Sequence, residues 1–170
     1  MLSFLFRGLT ADAASGAALF QALTAEARRP RWYLEGQVPD TLDGRFALLA
    51  TVAALAIVRL ERDGEAGNQA SVALTEQFVE VMESEHRELG LGDPTLGKVV
   101  RKLVGKLARR TGLWRAAVAG VADWIETTRR SVYKGEVPEE ALKQNAKALR
   151  AFWDRLDQAT LEQLEQGRFD

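Results

Sequence analysis

Arg45-Phe46-Ala47-Leu48-Leu49-Ala50-Thr51-Val52-Ala53-Ala54-Leu55-Ala56-Ile57-Val58-Arg59 decides the fold. Its inner part, Phe46 to Val58, is apolar over 13 residues except at Thr51. A membrane span takes about 20 such residues, so the run is too short to cross a bilayer. Alanine and leucine dominate it, both strong helix formers, and no window of the chain shows sustained strand alternation. A helix that is apolar on every side must be surrounded by other elements. The segment is therefore read as the buried centre of an all-α domain. Leu49 and Leu55 should be nearly inaccessible, with Arg45 and Arg59 marking the two ends.

Outward from that centre the chain divides at its glycines and prolines. Residues 11–29 predict a helix with Leu19, Phe20 and Leu23 turned inward and Arg28-Arg29 at the C-terminal end, where cations favour the helix dipole. Pro30 stops it, and residues 31–41 read as an irregular, aromatic-bearing segment. The central helix extends from about Leu42 to Arg62, and Gly64 to Gln69 is the best loop candidate. A third helix covers roughly 70–89. Leu74, Phe78, Val81 and Met82 form its core stripe at i, i+4, i+7 and i+8, while Glu76, Glu80, Glu83 and Arg87 lie opposite. After Gly90-Leu91-Gly92, Asp93 is a natural N-cap and Pro94 a natural first residue for a fourth helix ending near Arg110. Beyond Thr111-Gly112, a fifth helix places Trp114, Ala117, Val118, Val121 and Ile125 on one face. Gly135 and Pro138 punctuate before a sixth, which carries Leu142, Leu149, Phe152, Trp153 and Leu156. A short turn around Leu161 and Leu164 closes the chain. The expectation is one domain over residues 1–170, built from about six helices.

Bulk composition narrows function without naming one. The 170 residues carry a net charge of −1, so any electrostatic role must come from local clustering. There is no cysteine, which removes disulfides and thiolate chemistry and suits a reducing cytoplasm. Met1 to Arg7 lacks the basic region and long apolar core of a secretory signal.

Several motifs invite chemistry and fail on inspection. Gly92-Asp93-Pro94-Thr95-Leu96-Gly97-Lys98 fits the first seven positions of a phosphate-binding loop, but Val99 stands where a hydroxyl must reach magnesium. An acidic helix precedes it in place of a strand, and Pro94 has no N–H to offer phosphate. The stretch is read as a helix-starting turn. Glu83 and His86 make half of a di-metal pair, and one histidine cannot complete the set, so no metal or other cofactor is expected. No catalytic constellation stands out.

The basic run is more informative. Between Lys98 and Arg115 there are seven basic residues and no acid. At helical spacing, Lys98, Arg101, Lys102, Lys106 and Arg109 fall on one side. Either this is a solvated face balancing the acidic helix through weak ion pairs, or it is a patch for RNA phosphates, anionic lipid heads or an acidic partner. At the start of the central helix, Asp40 or Thr41 can cap and Asp43 sits favourably in the first turn. Gly44 costs that turn about 1 kcal/mol relative to Ala, which suggests close approach by another backbone or by a partner. Trp32 and Tyr33 are either core anchors or an exposed aromatic docking site.

Trp32-Tyr33, Pro39 to Phe46, Arg59-Leu60, Arg87 to Asp93 and Gly97-Lys98, in this order and spacing, resemble the ubiquinol–cytochrome c chaperone family. The likeness covers about residues 31–114, with the helices of 113–170 completing the domain. The second helix departs from it, reading Ala50-Thr51-Val52 where relatives tend to carry a histidine. Glu83-Ser84-Glu85 also replaces a stretch richer in aspartate and methionine. The resemblance implies that the protein is not an enzyme but an assembly factor for respiratory complex III that binds newly made cytochrome b. In mitochondrial relatives this occurs with a small partner near the ribosomal tunnel exit. For a bacterial member it implies work at the cytoplasmic face of the inner membrane, against a ribosome or an anionic membrane surface. Trp32, Tyr33, Asp40, Asp43, Gly44 and Arg45 become candidate partner contacts, and the five-cation face a candidate polyanion site. The alternatives are a peripheral module that binds RNA or anionic lipid through its basic helix alone, and a small enzyme using the Gly92–Lys98 turn on phosphate.

Overall fold

The computed structural model describes residues 16–170, and over them the protein is all-α. Helix α1 covers residues 16–27, and the expectations for Met1 to Arg7 and for the first turn of the 11–29 helix lie outside the described residues. There follow α2 (Arg31–Leu34), α3 (Leu42–Leu60), a 3₁₀ turn (Glu61–Asp63), α4 (Gly64–Glu88), α5 (Asp93–Val118), α6 (Trp124–Val132), α7 (Glu139–Gln158) and α8 (Leu161–Glu165).

Helix α3 is the hub, packed on α4, α5, α6 and α7. Every residue from Ala50 to Leu60 is buried, Leu55 completely. The single polar residue inside the run is satisfied. Thr51 donates to Ala47 O at 2.7 Å and lies 2.6 Å from Ser131 Oγ, which accepts the Trp114 indole N–H at 3.0 Å. This node joins α3, α5 and α6 without leaving a buried hydroxyl unpaired. Leu49, expected to be inaccessible, is only partly covered, because its turn of α3 faces an open groove.

The punctuation was misplaced at four points, each for a local reason. Gly64 to Gln69 is not a loop. Gly64 takes φ +61, which turns the chain out of the 3₁₀ segment directly into α4. A Cβ on Gly67 would lie 1.9 Å from Leu60 O, so that glycine serves close packing. Thr111-Gly112 does not end a helix either. The Thr111 hydroxyl donates to Leu107 O at 3.1 Å, and α5 continues until Gly120, at φ +75. Val121 consequently stands 82% exposed, off the apolar face expected of it, and Ile125 belongs to α6. Gly92, not Asp93, is the N-cap of α5, with Asp93 in the first turn where its charge suits the dipole. Residues 31–34 form a helical turn where irregular chain was expected.

On the α7 side, charge is matched closely. Glu26, 2% exposed, meets Arg31 at 2.9 Å, Arg155 at 2.8 Å and Arg29 at 3.2 Å. Arg59, also buried, bonds Asp63 at 2.6 Å and donates to the carbonyls of Leu156 and Ala159, which lie at the end of α7. Among the described residues, no helix is long and apolar enough to cross a membrane.

Candidate functional site

The segment between α1 and α3 is folded back by its own aromatics. The Trp32 indole N–H donates to Glu26 O at 2.8 Å and the Tyr33 hydroxyl to Ala27 O at 2.7 Å. Gly36 is pressed against α7, where a Cβ would meet Asn145 Oδ1 at 1.9 Å. Its carbonyl accepts from the Tyr133 hydroxyl and the Asn145 amide, and burial pushes the Tyr133 phenol up to about 12. Thr41 then caps α3 by accepting from the Gly44 N–H at 3.1 Å. Asp40 and Arg45 pair at 2.6 Å, and that bond holds the Asp40 carboxyl below the usual range. Asp43 is held down in the same way by Lys134 at 2.7 Å.

These contacts shape one wall of a groove of about 740 Å³, which also takes in α1, α4 and α5. Phe20, Phe46, Leu49, Val81, Met82 and Leu103 give it an apolar floor. Phe46 is fixed from both sides, with Phe78 tilted against it at 5.9 Å and the Lys106 ammonium 5.7 Å from its ring centre. Arg28, Arg45 and Lys106 alternate round the walls with Asp40, Asp43 and Glu85. The rim carries three bare leucines: Leu34 is 76% exposed, Leu42 79% and Leu89 69%.

Of the candidate partner residues, Tyr33, Asp40, Asp43 and Arg45 line this groove, joined by Lys106 from the basic set. Trp32 and Gly44 do not fit that role. Trp32 is fully buried, and Gly44 is a glycine because a Cβ would lie 1.9 Å from Pro39 O of its own chain. No partner is needed to explain either.

Lys98, Arg101, Lys102 and Arg109 are exposed along α5 and Lys106 is half-buried. Among the described residues none of the five makes an ion pair, so the balancing by the acidic helix does not occur there. Burial, then the neighbouring charges of Lys134 and Lys102, hold the Lys106 ammonium below its ordinary pKa. The other two basic residues of the run are structural. Arg110 donates to Ser131 O at 3.0 Å and is pulled down to about 10 by burial, while Arg115 pairs with Glu61 at 2.7 Å. Gly92 to Lys98 starts α5 as expected, with Pro94 in its first turn. His86 turns its Nδ1 to Met82 O at 2.7 Å, and no group of three or more potential ligands gathers among the described residues.

Sequence reading missed the floor. Val81 and Met82 carried a core-stripe signal that could not distinguish a packed core from an open groove. Leu89 and Leu42 lay at helix ends, where no periodicity speaks.

The family model for the ubiquinol–cytochrome C chaperone matches residues 34–170. The crystal structure of the Cbp3 homolog from Brucella abortus is similar at a TM-score of 0.77 and 28% identity, over 100% of this chain and 97% of that one. No functionally curated protein matches the sequence. With four fifths of its length under the family model, the chain belongs to the ubiquinol–cytochrome c chaperone family.

Proposed function

We propose that this protein is a non-enzymatic assembly chaperone of the ubiquinol–cytochrome c reductase, respiratory complex III, and that its client is newly made cytochrome b. The observation that carries the reading is an apolar groove of about 740 Å³, left open in a member of this family. An unassembled membrane protein exposes apolar helices that aggregate in water. A concave floor of phenylalanine, leucine, valine and methionine can cover one face of such a helix, and methionine adapts to varied shapes. The groove holds a few large side chains rather than a whole span, which suits temporary holding. Tyr33, Asp40, Asp43 and Arg45 contact the client at the wall.

A second element follows from five cations of α5 that make no ion pair among the described residues. Lys98, Arg101, Lys102, Lys106 and Arg109 hold the chaperone against a polyanionic surface, ribosomal RNA or anionic lipid, at the cytoplasmic side of the membrane during hand-over. No surface is assigned to a small partner subunit. If the basic face were the whole function, the groove would be dispensable.

Tagged protein drawn from membranes should bring cytochrome b with it before haem insertion. Leu49→Asn together with Val81→Asn, which wets the floor, should abolish that co-purification and lower complex III while the chaperone itself stays abundant. Co-purification undiminished by the wet floor would remove the groove from the mechanism. Its absence from the wild type would remove the client.

A further inference from the structure

Among the described residues five large apolar side chains stand more than half exposed, and three of them, Leu34, Leu42 and Leu89, gather at one groove. They come from α2, the start of α3 and the end of α4, so no single amphipathic stripe accounts for them. Isolated exposed leucines need no explanation, whereas a cluster round one mouth marks an interface. The acids at the same mouth are Asp40, paired with Arg45, Asp43 and Glu85, and further cations flank it on the α5 side. Lys106 lines it, Lys134 bonds Asp43, and Lys102 lies near enough to help hold the Asp43 carboxyl down. Asp43 is the one acid paired with this lysine trio among the described residues. Arg101, beside Lys102, and Lys98, one turn nearer the N-terminus of α5, extend the patch.

The two parts have opposite needs: the leucines gain by leaving water, the cations by meeting anions. RNA would satisfy only the cations, and an apolar protein surface only the leucines. The headgroup boundary of an anionic bilayer offers acyl chain and phosphate within a few ångströms of each other.

We propose that this face docks on an anionic phospholipid bilayer, with Leu34, Leu42 and Leu89 at the acyl boundary and Lys98, Arg101 and Lys102 on lipid phosphates. The purpose of the contact rests on the chaperone reading given above, since the groove mouth then opens onto lipid and an apolar client segment enters without crossing water. Docking is reversible, because three side chains bury far less than a membrane-spanning helix does.

The chain has no cysteine, so Leu42→Cys gives the full-length protein a single labelling point. A polarity-sensitive bimane there should shift to the blue on vesicles of three parts phosphatidylcholine to one part phosphatidylglycerol, and not on phosphatidylcholine alone. The same label at Val121→Cys, beyond the far end of α5, should report no change. Vesicle partition should fall about tenfold or more in Lys98→Glu with Lys102→Glu, and comparably in Leu34→Ser with Leu89→Ser. Circular dichroism and melting should be preserved in both, since all four side chains are exposed.

Three results would overturn the proposal: no binding to the anionic vesicles; binding that leaves the Leu42→Cys label in water; or binding that survives the serine pair and is displaced by polyuridylate, which would make the face an RNA site. The vesicles contain no cytochrome b, so failure here leaves the client reading to its own test.

Discussion

The α7 side and the α5 side of this molecule treat positive charge in opposite ways. Against α7, Glu26 is enclosed by three arginines, and Arg59 is paired with Asp63 while donating to two carbonyls. Along α5, Lys98, Arg101, Lys102 and Arg109 are exposed and Lys106 half-buried, and none of the five pairs with an acid among the described residues. Both sides draw on the same nearly neutral composition, so the imbalance is one of placement. Cations that hold elements together are desolvated and need partners; exposed cations stay hydrated and cost the fold little when left unpaired. The difference teaches which charges the fold depends on.

Glu26→Gln tests the paired side most severely. Removing one charge from a buried cluster costs about 3 kcal/mol, or roughly 6–12 °C in melting midpoint for a chain of this size. An unchanged midpoint would mean that the three arginines do not need it. Tyr133 gives a smaller effect, with a definite pH window. Its phenol titrates at 10.0 when free and at about 12 in the fold, so the unfolded chain loses its proton first as pH rises. The stabilisation is complete below pH 10 and lost progressively towards pH 12. Tyr133→Phe should flatten that part of the stability curve, and a curve that keeps its slope would assign the loss to another group. On the α5 side the expected effect on folding is the smallest. Arg101→Glu with Lys102→Glu should change stability by no more than about 0.5 kcal/mol. Unfolding by that pair would show that the basic face is part of the structure after all.

The central helix was legible because thirteen consecutive residues gave one signal, apolar and helix-forming together. The breaks were less so. Glycine at 64, 67 and 112 carries a single letter for three situations: a positive φ, a close approach to Leu60 O, and an open helix face with nothing near it. Only the first is a turn, and even that one leads straight into a helix. The groove was least legible of all. It draws on α1, α2, α3, α4 and α5, and no local pattern states that Leu49 faces a gap while Leu48, one residue earlier, is fully buried. The walls fared better, since Asp40, Asp43 and Arg45 flank a helix start whose chemistry can be read from the chain.

The bond from Tyr133 to the carbonyl of Gly36 spans 97 residues, and that from Asn145 spans 109. Loop closure over such distances is slow, and it waits for the distant residue to exist. During synthesis the segment from Gly36 to Leu42 therefore stays without its anchor until α7 has left the ribosome. A chain cut after α5 carries every floor residue yet lacks both bonds to Gly36, so this wall of the groove is fixed only once α7 has been made.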